Sequence, residues 1–346
     1  MSRFRVGLTA DFYDAAGNCK YADIGLDRLA AAKEIEVGRL AEHRPELTAD
    51  QVAAWNGLIV LTPRVTLASL ASPGDLLALA RFGVGYDSVD VAACTAADVL
   101  LTITVGAVDH SVAEATVGWM LALSHHMRSK DRLVRDATWE IRSQFMGSEL
   151  RGRTLGIIGM GGIGRAVIQM LSGFQMEQPL VFDPFVSAET IAQAGARQCS
   201  LEELLTKSDF VSLHCPLNDS TRGLIAQREL RLMKPTAYLI NTARGGIIDD
   251  DSLYQALASR QIAGAAIDCF VGEPLTSPPK IASLENVLLA PHCIAWTDEL
   301  FRDIGRAACQ TMIDLAAGRR PKGAVNPQVF ESPGFQEKWR RLRATG

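Results

Sequence analysis

Between Leu155 and Gly164 the chain reads Leu-Gly-Ile-Ile-Gly-Met-Gly-Gly-Ile-Gly. This is a GxGxxG run that follows a strand-like apolar stretch directly and opens onto an amphipathic pattern over 163–171. No other feature narrows the fold so far. A lone GxGxxG is weak, but strand, glycines and helix in this order specify a strand–turn–helix unit that binds a dinucleotide. Gly159 permits the tight turn, Gly161 lets the backbone approach a pyrophosphate, and Gly164 lets the helix pack close to the strand. Gly162 and Ile163 begin that helix, whose N-terminus supplies unpaired amides and the positive end of its dipole. Asp183 ends the next strand pattern, 19 residues beyond Gly164. A carboxylate there accepts hydrogen bonds from an adenosine ribose and repels a 2′-phosphate, which favours NAD over NADP. The plainer alternative is a tight turn with an aspartate that caps a helix.

The rest of the chain repeats the alternation. Apolar runs at 4–8, 57–61, 76–82 and 99–104 read as buried strands, with amphipathic stretches such as 26–32 and 88–97 between them. A second series, 155–159, 180–183, 210–213, 237–241, 265–268 and 287–290, continues the pattern. Strands alternating with helices imply parallel sheets covered on both faces, hence an α/β fold. At 346 residues there is room for two domains, each with its own core. Ser111-Val-Ala-Glu114 reads as a capping box that starts a long apolar helix over 112–127, in which Gly118 permits close packing. Residues 297–317 read as one more helix, and 319–346 as a polar tail with a few apolar anchors.

Composition removes several function classes. A formal charge of −4 gives no sign of the basic face that a nucleic-acid binder carries. No apolar run approaches the roughly 20 residues of a membrane-spanning helix. The N-terminus lacks the apolar stretch of a signal peptide. The seven cysteines are odd in number, scattered and without a CxxC pair, so neither zinc ligation nor a disulfide framework is expected. These features together imply a cytoplasmic protein with no metal.

Three polar residues fall just beyond strand patterns: Arg244 in Asn-Thr-Ala-Arg-Gly-Gly, Glu273 in Val-Gly-Glu-Pro, and His292 in Ala-Pro-His. In open parallel sheets, ligands bind outside the carboxyl ends of the strands. Singly, each has a bland reading: a surface salt bridge, a loop carboxylate, a core histidine. Together, downstream of a dinucleotide loop, they form a complete set for reducing a 2-oxo acid. Arginine binds a carboxylate through its fork. Histidine donates a proton near neutral pH, and a neighbouring carboxylate favours its protonated form. The hydride comes from the cofactor.

From about residue 57 to 306 the sequence resembles the D-isomer-specific 2-hydroxyacid dehydrogenases. The matching segments include Arg81-Phe-Gly-Val-Gly-Tyr-Asp-Ser-Val-Asp90, Ser111-Val-Ala-Glu-Ala-Thr116, Leu213-His-Cys-Pro-Leu217, Leu239-Ile-Asn-Thr-Ala-Arg-Gly-Gly246, Ala266-Ile-Asp-Cys-Phe270 and Ala290-Pro-His292. The resemblance implies Arg244, Glu273 and His292 as catalytic residues, and a small 2-oxo or 2-hydroxy acid as substrate. It adds the backbone amides of Val84 and Gly85 as partners of the substrate carboxylate, with Thr62 and Trp296 also on the substrate side. Around the glycine loop and Asp183 it implies a cofactor site lined by Thr116, Pro184, His214, Cys215, Pro216, Thr221, Thr242, Ala243, Arg244, Asp268, His292 and Ala295. It also implies D-stereochemistry, a cytosolic setting and a homodimer built around the helix after Ser111. A doubly wound Rossmann domain over 108–296 would be inserted into a smaller flavodoxin-like substrate domain made of 1–107 plus 297–346.

The chain also departs from the family's pattern. Cys293-Ile-Ala-Trp296 replaces a small, Gly-rich segment, and Trp296 either walls the substrate pocket or packs in the core. Leu61-Thr-Pro-Arg64 stands where relatives often carry an Arg-Ser pair, and Arg64 either recognises a second anionic group or is a solvated charge. Glu273, in place of glutamine, argues against formate dehydrogenase-like chemistry. The stretch after His292 is too short for a regulatory amino-acid-binding domain. Cys215, Cys269 and Cys293, inside or beside these motifs, read as small packing residues. A dinucleotide-sensing module akin to the corepressors that resemble this family is the alternative function.

Overall fold

The computed structural model describes residues 3–343 and divides into two compact units. One unit takes the residues up to Val108 together with those from Trp296 onward; the other runs from Asp109 to Ala295.

In the first unit, strands β1 (Phe4–Leu8), β2 (Ile35–Arg39), β3 (Gly57–Val60), β4 (Ala78–Arg81) and β5 (Leu100–Thr102) form a parallel sheet in the order β2-β1-β3-β4-β5. This is the flavodoxin-like order, in which the sheet grows in opposite directions from β1 and β3. In the second unit, β6 (Leu155–Ile158), β7 (Leu180–Phe182), β8 (Arg197–Gln198), β9 (Phe210–Leu213), β10 (Tyr238–Asn241), β11 (Gly264–Ile267) and β12 (Val287–Leu289) form a parallel sheet of order β12-β11-β10-β9-β6-β7-β8. That is a doubly wound sheet with its reversal between β6 and β9.

The interior strands are buried along their whole length, as helices on both faces require. Because side chains alternate across a strand, neighbours enter different cores. Ile158, Val211, Leu239 and Ala265 pack on one face, while Ile157, Phe210, Ile240 and Ala266 pack on the other. Each of the Ile, Val, Leu and Phe side chains among them is worth roughly 1.5–3 kcal/mol when fully buried.

Several local expectations need correction. Ser111 does not cap a helix, because the helix Asp109–Ser124 has already begun two residues earlier. Glu114 pairs instead with His110 at 3.4 Å, one turn back, where an acidic side chain also suits the helix N-terminus. The apolar run to 127 is not one helix. His126 takes a left-handed conformation (φ 52°) and a separate helix, Met127–Arg135, follows. Gly118 makes no close approach to its own chain, since a Cβ there would meet nothing within 4 Å. The strands expected at 76–82 and 99–104 are shorter, Ala78–Arg81 and Leu100–Thr102, with Leu76, Leu77 and Val99 buried as flanking core residues.

The stretch after 318 is not a tail. A 3-10 turn, Pro327–Glu331, and a helix, Pro333–Leu342, fold onto the first unit, with Phe335 fully buried among Phe330 and Trp339. Asn326, also fully buried, donates to Val99 O at 2.9 Å and accepts from Leu101 N–H at 2.8 Å, tying this segment to β5. Residues 344–346 lie outside the described residues. The helix expected over 297–317 forms as Asp298–Ala316, capped by the Thr297 side chain.

Candidate active site

The reversal of the second sheet puts two loops side by side at strand carboxyl ends. After β6 comes the glycine loop, and after β9 comes His214-Cys215-Pro216. Gly159 sits at φ 92°, and a Cβ there would lie 2.7 Å from Cys215 N, so the two loops pass as closely as backbones can. A Cβ on Gly164 would lie 2.7 Å from Gly159 O, which fixes the helix Gly162–Met170 tightly on its strand. Gly161, the residue before that helix, faces nothing within 4 Å. Helix N-terminus and open glycine together make the cradle that a pyrophosphate needs, so the residues present fit a dinucleotide. Asp109, which the sequence did not single out, presses its carboxylate against Gly162, and burial pushes its pKa up.

Asp183 follows β7, where its Oδ2 accepts from Met160 N–H and its Oδ1 from Phe185 N–H, both at 2.8 Å. A carboxylate has about four acceptor positions, so two remain beyond these backbone bonds. The helix-capping alternative is excluded, because the next helix, Ala188–Gln193, is capped by Ser187. Pro184 is exposed beside it, and Phe185 leaves 88% of its surface exposed.

His214 keeps part of its residue surface exposed, yet its ring is shut away and burial pushes its pKa down to about 4. It is therefore neutral at ordinary pH. Nε2 lies 2.9 Å from Ser212 Oγ, while Nδ1 is buried with no hydrogen-bond partner among the described residues. Burial raises the Cys215 thiol to about 11, as befits a packing residue. Thr221 Oγ1 donates to Pro216 O at 2.6 Å and holds that loop closed. Thr116, fully buried, donates to Val112 O at 2.8 Å and has Thr242 Oγ1 3.5 Å away.

The three polar residues singled out above follow three adjacent strands: Arg244 after β10, Glu273 after β11, His292 after β12. Buried Asn241 shapes the first loop by accepting from Ala243 N–H at 3.0 Å and donating to Arg244 O at 2.8 Å. Arg244 Nη1 donates to Ala243 O at 2.6 Å. His292 Nδ1–H donates to Glu273 Oε2 at 2.6 Å, and Glu273 Oε1 accepts from Phe270 N–H at 2.6 Å. Burial alone would raise the Glu273 pKa. The hydrogen bonds from His292 and Phe270, with the charges of His292 and Arg244, outweigh it and hold the carboxyl below its usual range. Glu273 is thus a carboxylate gripped on both oxygens, aimed at the imidazole.

Asp268, buried at the end of β11, holds the histidine's backbone. Its carbonyl accepts from His292 N–H at 2.8 Å, and its Oδ1 accepts from Cys293 N–H at 3.0 Å and Ile294 N–H at 3.2 Å. His292 itself sits at φ 55°, a conformation that costs a non-glycine residue of order 1 kcal/mol or more and needs such support. Burial is the main reason that the Asp268 pKa is raised. Ala295, buried, closes this unit.

In the first unit, Val84 and Gly85 follow β4 and are partly buried. Thr62 follows β3, and both its amide (2.9 Å) and its hydroxyl bond Asp11 Oδ2. Arg64 is exposed. Trp296 keeps 55% of its surface exposed while meeting Tyr21 and Phe301 edge-on at centroid distances of 6.3 and 5.1 Å. It is both packed and presented. Among the described residues no helix is long and apolar enough to cross a membrane, and no cysteine forms a disulfide.

The sequence model of the D-isomer specific 2-hydroxyacid dehydrogenase NAD-binding domain matches residues 117–293. A glyoxylate reductase of Korarchaeum cryptofilum is 35% identical over 282 residues, covering 80% of this chain and 85% of that one. The human D-3-phosphoglycerate dehydrogenase is 37% identical over 280 residues, 80% of this chain but 51% of its own length. The crystal structure of a glyoxylate reductase from Paecilomyes thermophila superposes with a TM-score of 0.80, covering 95% of this chain and all of that one at 24% identity, a likeness of fold.

Proposed function

The chain belongs to the D-isomer-specific 2-hydroxyacid dehydrogenases, an NAD-dependent oxidoreductase family, and from that premise we propose which residues of this chain do the work. The reaction is the interconversion of a small 2-oxo acid and its D-2-hydroxy acid. His292 is the acid–base, Glu273 its partner, and Arg244 the residue that holds the substrate carboxylate. The observation that carries this reading is the 2.6 Å bond from His292 Nδ1–H to Glu273 Oε2.

With Nδ1 committed to Glu273, His292 has Nε2 left to give a proton to the carbonyl oxygen in reduction, or to take one in oxidation. The Glu273 carboxylate, bonded to Nδ1–H, orients the ring for that transfer. Arg244 has a planar fork suited to two parallel bonds with a carboxylate. We assign the other partners of that carboxylate to the amides of Val84 and Gly85, with Thr62 and Trp296 shaping the room for the substrate's side chain. Bound dinucleotide supplies the hydride.

The residues that would hold it are the Gly159–Gly164 loop at its pyrophosphate and Asp183 at its adenosine ribose. Asp183 supports NAD over NADP. Pro184, His214, Cys215, Pro216, Thr221, Thr116, Thr242, Ala243, Asp268 and Ala295 form the remaining walls. Asp268 acts chiefly by fixing the backbone of residues 292–294.

We further assign the chain to the cytoplasm, supported by cysteines that form no disulfide, and to a homodimer. Met127, Val134, Trp139 and Met146 expose between 50% and 80% of their surface. Such apolar exposure on one stretch suits burial against a second copy. Sedimentation at micromolar concentration would show it, and a monomer would refute it.

The direct test follows NADH oxidation by absorbance across a panel of 2-oxo acids, beside NADPH and a His292→Ala variant. Turnover that prefers NADH and vanishes in the variant supports the assignment. Tight NADH binding without turnover on any 2-oxo acid would instead favour the sensing module.

A further inference from the structure

Cys269 has no part in hydride transfer, yet it stands beside the residues assigned to it. It follows β11 directly, and the loop after it curls back so that Glu273 Oε1 accepts from Phe270 N–H at 2.6 Å. His292 arrives from the neighbouring strand β12. As a result the Cys269 sulfur, a Glu273 carboxylate oxygen and a His292 ring nitrogen all lie within 4.8 Å of one another. The thiol is buried, whereas the other two groups are open to solvent, so an ion reaches the cluster from one side.

We propose that Cys269, Glu273 and His292 form an inhibitory zinc site. The donor set argues for that ion. Sulfur, imidazole nitrogen and carboxylate oxygen together suit Zn²⁺, while a thiolate ligand disfavours Mg²⁺ and Ca²⁺. Tetrahedral zinc, with bonds of about 2.0–2.3 Å, holds its ligand atoms roughly 3.3–3.8 Å apart. Side-chain rotations of about an ångström bring the three atoms to that spacing, and the fourth position is left for water.

The chemistry balances as a simple exchange. The Cys269 thiol releases its proton to solvent and the sulfur binds the ion as thiolate. His292 binds through Nδ1, the nitrogen that faces Glu273: from the imidazolium the Nδ1 proton is released to solvent and Nε2 keeps the other, and from the neutral ring the single proton moves through solvent from Nδ1 to Nε2. Giving that last proton to a substrate would require an imidazolate, so the ring no longer cycles as an acid–base. The Glu273 charge is spent on the ion as well. Zinc binding therefore switches the enzyme off, an inference that rests on the roles assigned to His292 and Glu273 above.

The test uses the full chain, treated with a chelator and then freed of it. Zn²⁺ is titrated into NADH-dependent reduction of glyoxylate. Separately, Co²⁺ is titrated optically with neither NADH nor substrate present. Wild-type protein should lose turnover with Zn²⁺ and show a thiolate-to-cobalt charge-transfer band. Cys269→Ser and Cys269→Ala should turn over normally without metal and lack the band. They should need at least the roughly 10–100-fold more Zn²⁺ that loss of a mere ligand-supporting residue costs. Equal zinc sensitivity in wild type and variants, or no cobalt band in the wild type, would overturn the site. A Cys269-dependent band in a protein inert toward every 2-oxo acid would uphold the metal site while refuting the catalytic assignment.

Discussion

His292 Nδ1 and Glu273 Oε2 are 2.6 Å apart, and each partner is held from behind. Asp268 grips the backbone of 292–294, and Phe270 N–H holds the other oxygen of Glu273. Neither side chain is left to find the other by chance, so the tautomer with its proton on Nδ1 is fixed by the fold.

Glu273→Gln keeps the shape of the pair but removes the negative charge beside Nδ1–H, and kcat/KM for reduction of a 2-oxo acid should fall while NADH binding stays as it is. On the acid side, Glu273 is held below its usual range. Its contribution to stability is therefore present above the unfolded value, near 4.3, and is lost as pH falls through the folded one. Steady-state kinetics of both proteins, with NADH binding alongside, check the first statement. Unchanged kcat/KM would exclude Glu273 as the partner of His292.

Arg244→Ala should lower kcat/KM for a 2-oxo acid by a factor of roughly 30 to 1,000, about 2–4 kcal/mol of charge-assisted contact. Arg244→Lys keeps the charge but not the fork and should recover only part of it. Steady-state kinetics decide this, with NADH binding measured alongside. Near-normal turnover in the alanine variant would remove Arg244 from the substrate.

Two glycines of one loop should separate fold from cofactor. A Cβ on Gly161 meets no protein atom within 4 Å, and its backbone suits any residue, so Gly161→Ala should keep its melting temperature while weakening NADH. On Gly164 the Cβ would lie 2.7 Å from Gly159 O. Gly164→Ala should weaken NADH and also cost roughly 1–3 kcal/mol of stability by overpacking. Calorimetry and NADH titration of the two variants read both effects. Equal stability losses would contradict the division.

At Asp183 the expected change is in cofactor choice. Asp183→Ala removes the charge facing a 2′-phosphate, and with it the acceptors of Met160 N–H and Phe185 N–H. NADH affinity should fall and the preference for NADH over NADPH should shrink. Competitive binding of the two dinucleotides measures it; an unchanged ratio would take Asp183 away from the ribose.

Where a physical constraint lies along the chain, it could be read there. Buried parallel strands must be continuously apolar, so Gly57–Val60, Phe210–Leu213 and Tyr238–Asn241 stood out. Backbone approach to a pyrophosphate needs glycine, and the loop after β6 declared itself. β2 was missed because, at the sheet edge, only Ile35 of its five residues is buried, which leaves no apolar run to see. Asp109 was harder still, because its carboxylate meets Gly162 only in the fold. Asp268 was named through the family resemblance, but its hold on the amides of residues 292–294 depends on which backbone groups the fold brings to it.

The C-terminal stretch is the instructive failure, because its signal was present. Phe335 and Trp339 are four apart, one turn of a helix, but the Glu, Lys and Arg residues around them made the segment look solvated. In the fold Phe335 is fully buried, Trp339 Nε1–H donates to Leu315 O at 2.8 Å, and Lys338 Nζ donates to Leu76 O at 2.8 Å. A residue in a solvated tail could be truncated for less than about 0.5 kcal/mol. Phe335→Ala, which empties a packed site, should instead cost about 3–5 kcal/mol. The two expectations are far enough apart for calorimetry to separate them. The loss should fall on the transition of the unit that contains β1–β5, since Phe335 packs there. A melting curve indistinguishable from wild type would return the segment to the status of a tail.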